Sequence, residues 1–335
     1  MSEGGTRNAP HTESAGALPL APQRRGAAWQ RLLPWGITAV CFFWLYRNVS
    51  AAAARQHYEL IPYLLGIFER VDWGSFLVIV IPYSLFYFAI DSLVLYRVVN
   101  WFNARVSYMD ILPVRASTYI LSIVNEQVGK GAMAVYLHRR EGVPGWQVGS
   151  SMLFIMFCEF YYLLAWATFG VALRWDSLPP VFHAIPAVAL GAALWFVFHL
   201  LYFNGSIFPN STLRNRQLLH AFRKAKPWQY ATIVLLRSPA LLAGVVAYTL
   251  VMRLFGVTLG FGQVLGYLPV VFFGAAVPGP MRAVAITLWT VLVPEHAGEM
   301  AAFGLVMHNF FIFFNAAIGL LFLRRAQREI FGAAL

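Results

Sequence analysis

Long apolar runs separated by short charged or turn-forming stretches organise this chain. They cover approximately residues 32–47, 74–96, 114–137, 147–173, 181–204, 228–252, 264–292 and 301–323. Several reach the roughly 20 apolar residues that a helix needs to cross a bilayer, which leaves no polar face for a water-soluble core. Two runs are broken from within. Val128-Gly129-Lys130-Gly131 interrupts 114–137, and Pro278-Gly279-Pro280-Met281-Arg282 interrupts 264–292. Each break sets a cation beside residues that end helices.

Composition agrees with the pattern. The 335 residues are 59% hydrophobic and 12% charged, with mean hydropathy +0.63, values of a polytopic membrane protein built as one membrane domain. A net charge of +11 would also suit a nucleic-acid binder. The arginines, however, sit in short loops between apolar runs, where they report topology, and no nucleic-acid partner is expected. Cys41 and Cys158 both fall inside apolar runs, so neither reads as a disulfide, metal ligand or exposed nucleophile. Residues 1–30 are rich in Gly, Ala, Pro, Ser and Thr, lack an apolar signal-like core, and read as a disordered cytoplasmic tail. The membrane domain spans 31–325, and 326–335 is a short cytoplasmic tail.

Loop charges set the path, because Lys and Arg concentrate on the cytoplasmic side. The start is basic, hence inside; 47–72 balances Arg47, Arg55 and Arg70 with Glu59, Glu69 and Asp72, hence outside. Within it, Tyr58 to Phe68 suits the interface. Arg97, Arg105 and Arg115 mark the next loop as inside, and so do Arg139 and Arg140 after the first broken run. Run 114–137 therefore enters and leaves by one face. The loop at 205–227 carries Arg214, Arg216, Arg223, Lys224 and Lys226 and no acid, the firmest cytoplasmic marker. The flanks of 264–292 look external, so the second broken run re-enters from the opposite side. The expected fold is all-α: six transmembrane helices, two opposed re-entrant hairpins and both termini cytoplasmic. The competing arrangement, eight spanning runs, puts Arg139, Arg140 and the five-cation loop outside, against the charge bias.

In this path the order crossing, hairpin, crossing occurs twice in opposite orientation, the inverted repeat found in many transporters. An offset of 150 residues sets Gly129 on Gly279, Glu159 on Asn309 and Phe160 on Phe310. The weight rests on the order of elements, since Gly and Phe are abundant.

The candidate chemistry follows the hairpins. Gly129 and Gly131 free the backbone at the first tip, and Lys130, the one lysine inside an apolar run, adds positive charge there, a setting for an anion. Glu126 lies four residues before Lys130, so simple mutual neutralisation on one helix turn is the other reading. Arg282, opening the arm after Gly279, offers a planar donor fork to a phosphate or snorkels to the outer interface. Glu159 sits mid-run, costs about 2.5–3.5 kcal/mol there, and is expected to face the interior, paired with Lys130 or accepting a proton. His308 is a candidate proton relay. Asn309 and Asn315 read as interhelical hydrogen-bond partners. Arg237, about nine residues into its run, either snorkels or lines a cytoplasm-facing cavity, and Asp91 reads as a structural partner of Arg97. No P-loop, dinucleotide fingerprint, metalloprotease motif, Mg²⁺-diphosphate carboxylate pair or Gly-x-Ser-x-Gly elbow occurs. No metal, cofactor or catalytic residue is expected.

Asn125-Glu126-Gln127-Val128-Gly129-Lys130-Gly131, followed by Leu137-His138-Arg139-Arg140-Glu141-Gly142-Val143 and a run with Glu159, resembles the first half of the membrane region of lysylphosphatidylglycerol synthases and their stand-alone flippase-like relatives. The hairpin at Val277-Pro278-Gly279-Pro280 is similar to the second half. The likeness covers about 30–325. Two departures stand out. The chain ends at Leu335, without the family's cytoplasmic aminoacyl-transfer domain, and Pro280-Met281-Arg282 replaces a Gly-Gly-rich continuation. The resemblance implies lipid handling. The expected function is a flippase-like transporter moving an anionic or zwitterionic lipid between leaflets of the bacterial cytoplasmic (inner) membrane. Its headgroup would bind between the hairpin tips near Lys130 and Arg282, with Glu126 and Glu159 as counter-charges. The alternative is an intramembrane lipid-modifying enzyme, with Glu159 and His308 as acid and base, or its partner subunit. A homo-oligomer or a partner lipid-modifying enzyme is the expected protein company.

Overall fold

The computed structural model describes residues 28–124, 126–275 and 282–331, with no strand among them. The chain runs through α1 (Ala28–Arg55), α2 (Leu60–Arg70), α3 (Trp73–Phe102), α4 (Tyr108–Val124), α5 (Glu126–Glu141) and α6 (Gly145–Leu173). It continues through α7 (Ile185–Asn204), the single turn α8 (His220–Lys224), α9 (Pro227–Leu254), α10 (Phe261–Ala275), α11 (Ala283–Leu292) and α12 (Ala297–Phe331). Among the described residues five stretches are long and apolar enough to cross a membrane: 73–102, 145–173, 180–204, 227–254 and 294–322. They coincide with five of the six expected crossings. The remaining run, 32–47, lies within α1.

Local chemistry explains the helix limits. Asp72 caps α3, its carboxylate accepting from the backbone N–H of Gly74 at 3.0 Å and Ser75 at 3.2 Å, which satisfies donors that a helix start leaves orphaned. Pro227 opens α9, and the Gln229 amide oxygen accepts from the Lys226 N–H at 2.7 Å. Gly205 ends α7 at φ +87°, a left-handed turn that glycine takes without a Cβ clash. The interface expectation for 58–68 corresponds to α2, which buries Tyr63 and Ile67 while Ile61 and Leu65 are exposed.

Polar contacts sort the helix termini into two ends. At one, the Ser151 hydroxyl donates to Asn103 at 2.6 Å, the Ser150 hydroxyl accepts from the N–H of Ala221, and His220 meets the Phe102 carbonyl at 3.3 Å. The end of α3, the start of α6, α8 and the start of α9 therefore share this end, with the basic loop 205–227. At the other, Trp73 packs on Phe255 and the Tyr63 hydroxyl donates to Glu299 at 3.5 Å. That gathers α2, the start of α3, the end of α9 and the start of α12.

Run 114–137 does not form one helix. It divides into α4 and α5, 17 and 16 residues long, which pack side by side. The division differs from expectation in position. α4 ends at Val124 and α5 starts at Glu126, with Asn125 outside the described residues, while Val128–Gly131 lies within the first turns of α5. Two glycines cost roughly 1 kcal/mol each in a helix, less than the several kcal/mol of each backbone group left unpaired in lipid, so the helix carries on through them. Run 264–292 likewise divides into α10 and α11, 15 and 10 residues long. Gly279 and the rest of 276–281 are outside the described residues.

The two most extensive helix pairings are α4 with α12 and α6 with α10. Both hinge on a glycine. A Cβ on Gly170 would stand 2.6 Å from the Cα of Gly266, and one on Gly319 2.5 Å from the carbonyl oxygen of Ala116. Small residues let the backbones touch, the usual source of helix association where lipid removes the hydrophobic drive.

Candidate functional site

Four helices deliver ionised groups to one place inside the bundle. α3 supplies Asp91, α4 Arg115, α6 Glu159 and α9 Arg237. Asp91 and Arg237 lie roughly ten residues, or about 15 Å at 1.5 Å per residue, from the ends of α3 and α9 that carry the basic loops. The guanidinium of Arg115 donates through Nε to Asp91 Oδ2 at 2.6 Å, and the Tyr119 hydroxyl donates to the same oxygen at 2.7 Å. Arg237 then links two carboxylates. Its Nη2 donates to Asp91 Oδ1 and its Nη1 to Glu159 Oε1, each at 3.3 Å.

The four members differ in exposure, and that decides their roles. The side chains of Asp91 and Arg237 are 5% and 7% exposed, Arg115 is 22% and Glu159 39%. A buried ion needs partners to offset the several kcal/mol lost with its hydration, and Asp91 has three: two arginines and a phenol. Arg237 is less well supplied. Its Nε is buried without a hydrogen-bond partner, so a guanidinium with five donors is held by two long bonds, one of them to the most exposed carboxylate of the set. Two cations and two carboxylates give the cluster zero formal charge. Tyr87 and Tyr162 stand within electrostatic reach of Arg237.

Several sequence expectations change here. Asp91 pairs with Arg115 and Arg237, not with Arg97, because α4 folds back along α3 and brings a guanidinium to it. Arg237 is buried and ion-paired instead of snorkelling, since the carboxylates of α3 and α6 flank it. Glu159 meets Arg237; its expected pairing with Lys130 falls on a side chain outside the described residues. Glu126, Gly129, Lys130 and Gly131 occupy the opening turns of α5, and the side chains of Glu126 and Lys130 lie outside the described residues. The sequence reading missed Arg115 and Tyr119, having given Arg115 to a cytoplasmic loop. The available signal was that Asp91 and Arg115 both fall inside apolar runs, where an unpaired charge is costly.

The remaining candidates gather around the second broken run. Arg282 is the residue before α11, at φ +50° and ψ +40°, a left-handed conformation that strains a side chain with a Cβ. It is half-buried, no carboxylate pairs with it among the described residues, and Tyr83, Tyr248 and His308 lie within its electrostatic reach. His308 is 1% exposed, and its Nε2 accepts from the Trp289 indole at 3.3 Å. Glu159 and His308 thus engage different partners, Arg237 and Trp289. The Asn309 amide donates to the Leu305 carbonyl of its own helix at 2.7 Å, not across helices as expected, and Asn315 keeps a buried carbonyl oxygen without a partner. Among the described residues no three His, Cys, Asp or Glu side chains group as a metal site would require.

A groove of about 880 Å³ lies away from these charges, along α7 and the 208–219 loop. Comparison of the chain with protein-family models, characterised proteins and solved structures returned no match. The chemistry of the ion network and of the Arg282 turn is therefore what bears on function.

Proposed function

We propose that this protein is a flippase-like lipid transporter that moves a lipid with an anionic or zwitterionic headgroup between leaflets. One observation carries the reading. Arg237 is buried at mid-helix depth between a fully sequestered Asp91 and a Glu159 whose carboxylate is 39% exposed, with its Nε unpaired. Charges at that depth are expensive, and in membrane proteins they generally mark a substrate or ion pathway. A headgroup phosphate arriving past Glu159 offers Arg237 the planar oxygen pair that its fork prefers. Asp91 stays behind and keeps the arginine in place. Arg282, half-buried and without a carboxylate partner among the described residues, gives a second anion contact on the opposite approach, and Lys130 is a third candidate from the first hairpin.

In this proposal α4–α5 and α10–α11 are re-entrant hairpins entering from opposite faces, and the six crossings are α1, α3, α6, α7, α9 and α12. Helices of 10–17 residues are short for a span of about 20. The units α3 to α6 and α9 to α12 then form an inverted repeat. The swapped pairing supports it, for α4 packs on α12 as α10 packs on α6, each through a glycine whose Cβ would overlap the partner's backbone. The basic end faces the cytoplasm by the positive-inside rule, with both termini there, in a bacterial cytoplasmic membrane.

The test is leaflet exchange in liposomes holding the purified protein and a headgroup-labelled lipid. The protein is expected to accelerate exchange of at least one anionic or zwitterionic phospholipid, and R237Q to return the rate to that of protein-free vesicles while the variant still purifies as a single species. No acceleration with any such lipid sinks the proposal.

A further inference from the structure

The groove along α7 has a composition and a setting of its own. α7 is the outlier among the five candidate crossings: 6% of its apolar window is buried in the protein, against 33–50% for the other four. Its flank is therefore offered to lipid. At its basic end the chain leaves through Gly205 and folds back as a loop built on Arg214. That guanidinium donates to the carbonyls of Ile207 and Phe208 at 3.1 and 2.8 Å and lies over the Tyr202 ring at 5.1 Å. Tyr202 in turn shares a hydrogen bond with Ser211 at 2.8 Å. The result is a wall that fixes Phe208 at φ +52° with its ring 64% exposed. A strained backbone that holds a large apolar ring outward is kept only where the surroundings over-determine it.

Trp195, Phe198 and Phe203 supply the apolar side of the groove, and Leu213 and Leu219 close it. The volume, about 880 Å³, is within the roughly 300–1,000 Å³ typical of ligand sites. Beside it the chain is strongly basic. Between 205 and 227 there is no Asp or Glu; Arg216 and Lys224 are exposed, and Arg223 donates to the Arg214 carbonyl at 2.9 Å, tying α8 to the loop wall. An apolar trough opening to lipid, with exposed cations on the loop that forms one of its walls and on α8 just after it, complements one kind of molecule.

We infer that the groove beside α7 binds a phospholipid of net negative charge, an acyl chain against the aromatic wall and the phosphate on Arg216 and Lys224. The site is separate from the ion network and stands whether or not the protein moves lipid. A basic residue near an anionic bilayer surface contributes enough attraction for about a fivefold preference. Zwitterionic phosphatidylcholine fills the trough but gains little from these cations.

Trp195, 59% exposed, reports the site directly. The full-length protein is reconstituted in mixed phosphatidylglycerol and phosphatidylcholine vesicles in which one or the other lipid carries brominated chains, and the Trp195 signal is taken as wild type minus W195F. Brominated phosphatidylglycerol is expected to quench Trp195 at least about fivefold more per molecule than brominated phosphatidylcholine, and R216Q/K224Q to bring the ratio to about one. Both positions are solvent-facing, and monodispersity on size exclusion checks the variant's fold. Equal quenching by the two lipids in the wild type, as ordinary boundary lipid would give, overturns the inference. So does a preference that R216Q/K224Q leaves unchanged, or absence of quenching by either lipid, which would mean that a second copy of the chain covers the groove.

Discussion

The two broken helix pairs occupy corresponding places in the chain and differ in what they contribute. α4–α5 brings Arg115 and Tyr119 into an ion network with Asp91, Arg237 and Glu159. α10–α11 brings apolar and aromatic side chains: Trp289, fully buried, meets His308, Gly274 accommodates Leu288 and Val284, and the one cation of its described residues, Arg282, waits at the turn. Two helix pairs thus carry two chemistries. The lesson is that packing through small residues sets where a helix pair goes, while a handful of ionisable positions sets what its neighbourhood can bind.

Breaking the charged side has the largest expected effect. D91A removes the shared acceptor of two arginines and leaves Arg237 with only the half-exposed Glu159. We expect a loss of about 3–5 kcal/mol, the usual cost of orphaning a buried ion pair, read as collapse of the monodisperse peak on size exclusion in mild detergent. Asp91→Asn is expected to fall between wild type and D91A, because the amide still accepts from one arginine. If D91A is as stable as wild type, the network is not what holds α3, α4 and α9 together.

The packing common to both helix pairs comes next. G170V and G319V each drive a side chain into a facing backbone, at Gly266 and Ala116 respectively, and each should cost about 1–3 kcal/mol by overpacking, measured as a lowered thermal midpoint. Similar losses support equivalent contacts; a tolerant Gly319 would separate the two halves.

On the apolar side, W289F deletes a single indole donor and leaves His308 Nε2 without a partner. A loss of about 1 kcal/mol is expected, measured by thermal unfolding and smaller than that of D91A. A larger loss would give the aromatic side a polar dependence that its contacts do not indicate.

The smallest effect concerns His220, at the basic end outside the spans. Burial, and then the Lys224 charge, holds its pKa below the usual 6.5 despite the Phe102 carbonyl. The folded form therefore keeps the imidazole neutral. Below pH 6.5 the unfolded chain takes up the proton more readily, so this contribution to stability is intact above that pH and is lost as pH falls toward the folded pKa. Melting at pH 7.5 and 5.5 should show a drop on acidification that H220Q reduces. An identical drop in H220Q would remove His220 as its source.

Much of the architecture was legible in the chain. The apolar runs, the proline and glycine breaks and the loop charges predicted a helical membrane protein, five of whose expected crossings coincide with long apolar helices, and the division of both broken runs into helix pairs. Glu159 and Arg237 were also visible as charges out of place in apolar sequence. The pairing between them was not. Asp91 and Arg237 are 146 residues apart, and nothing periodic connects positions on separate helices. Nor did local pattern locate the first turn, because turn-forming residues announce a break in water, whereas in lipid the demand that every backbone group be bonded carries the helix on through Gly129 and Gly131.

By itself, the sequence determined the solvent for which this protein is made and where most of its long helices lie, since those depend on runs of apolar residues. Only the tertiary structure decided which charges neutralise which. That follows from how closely helices approach at Gly170 and Gly319 and from where α4 folds back along α3, and in a medium of low dielectric a few ångströms of approach separate a stable ion pair from an intolerable charge.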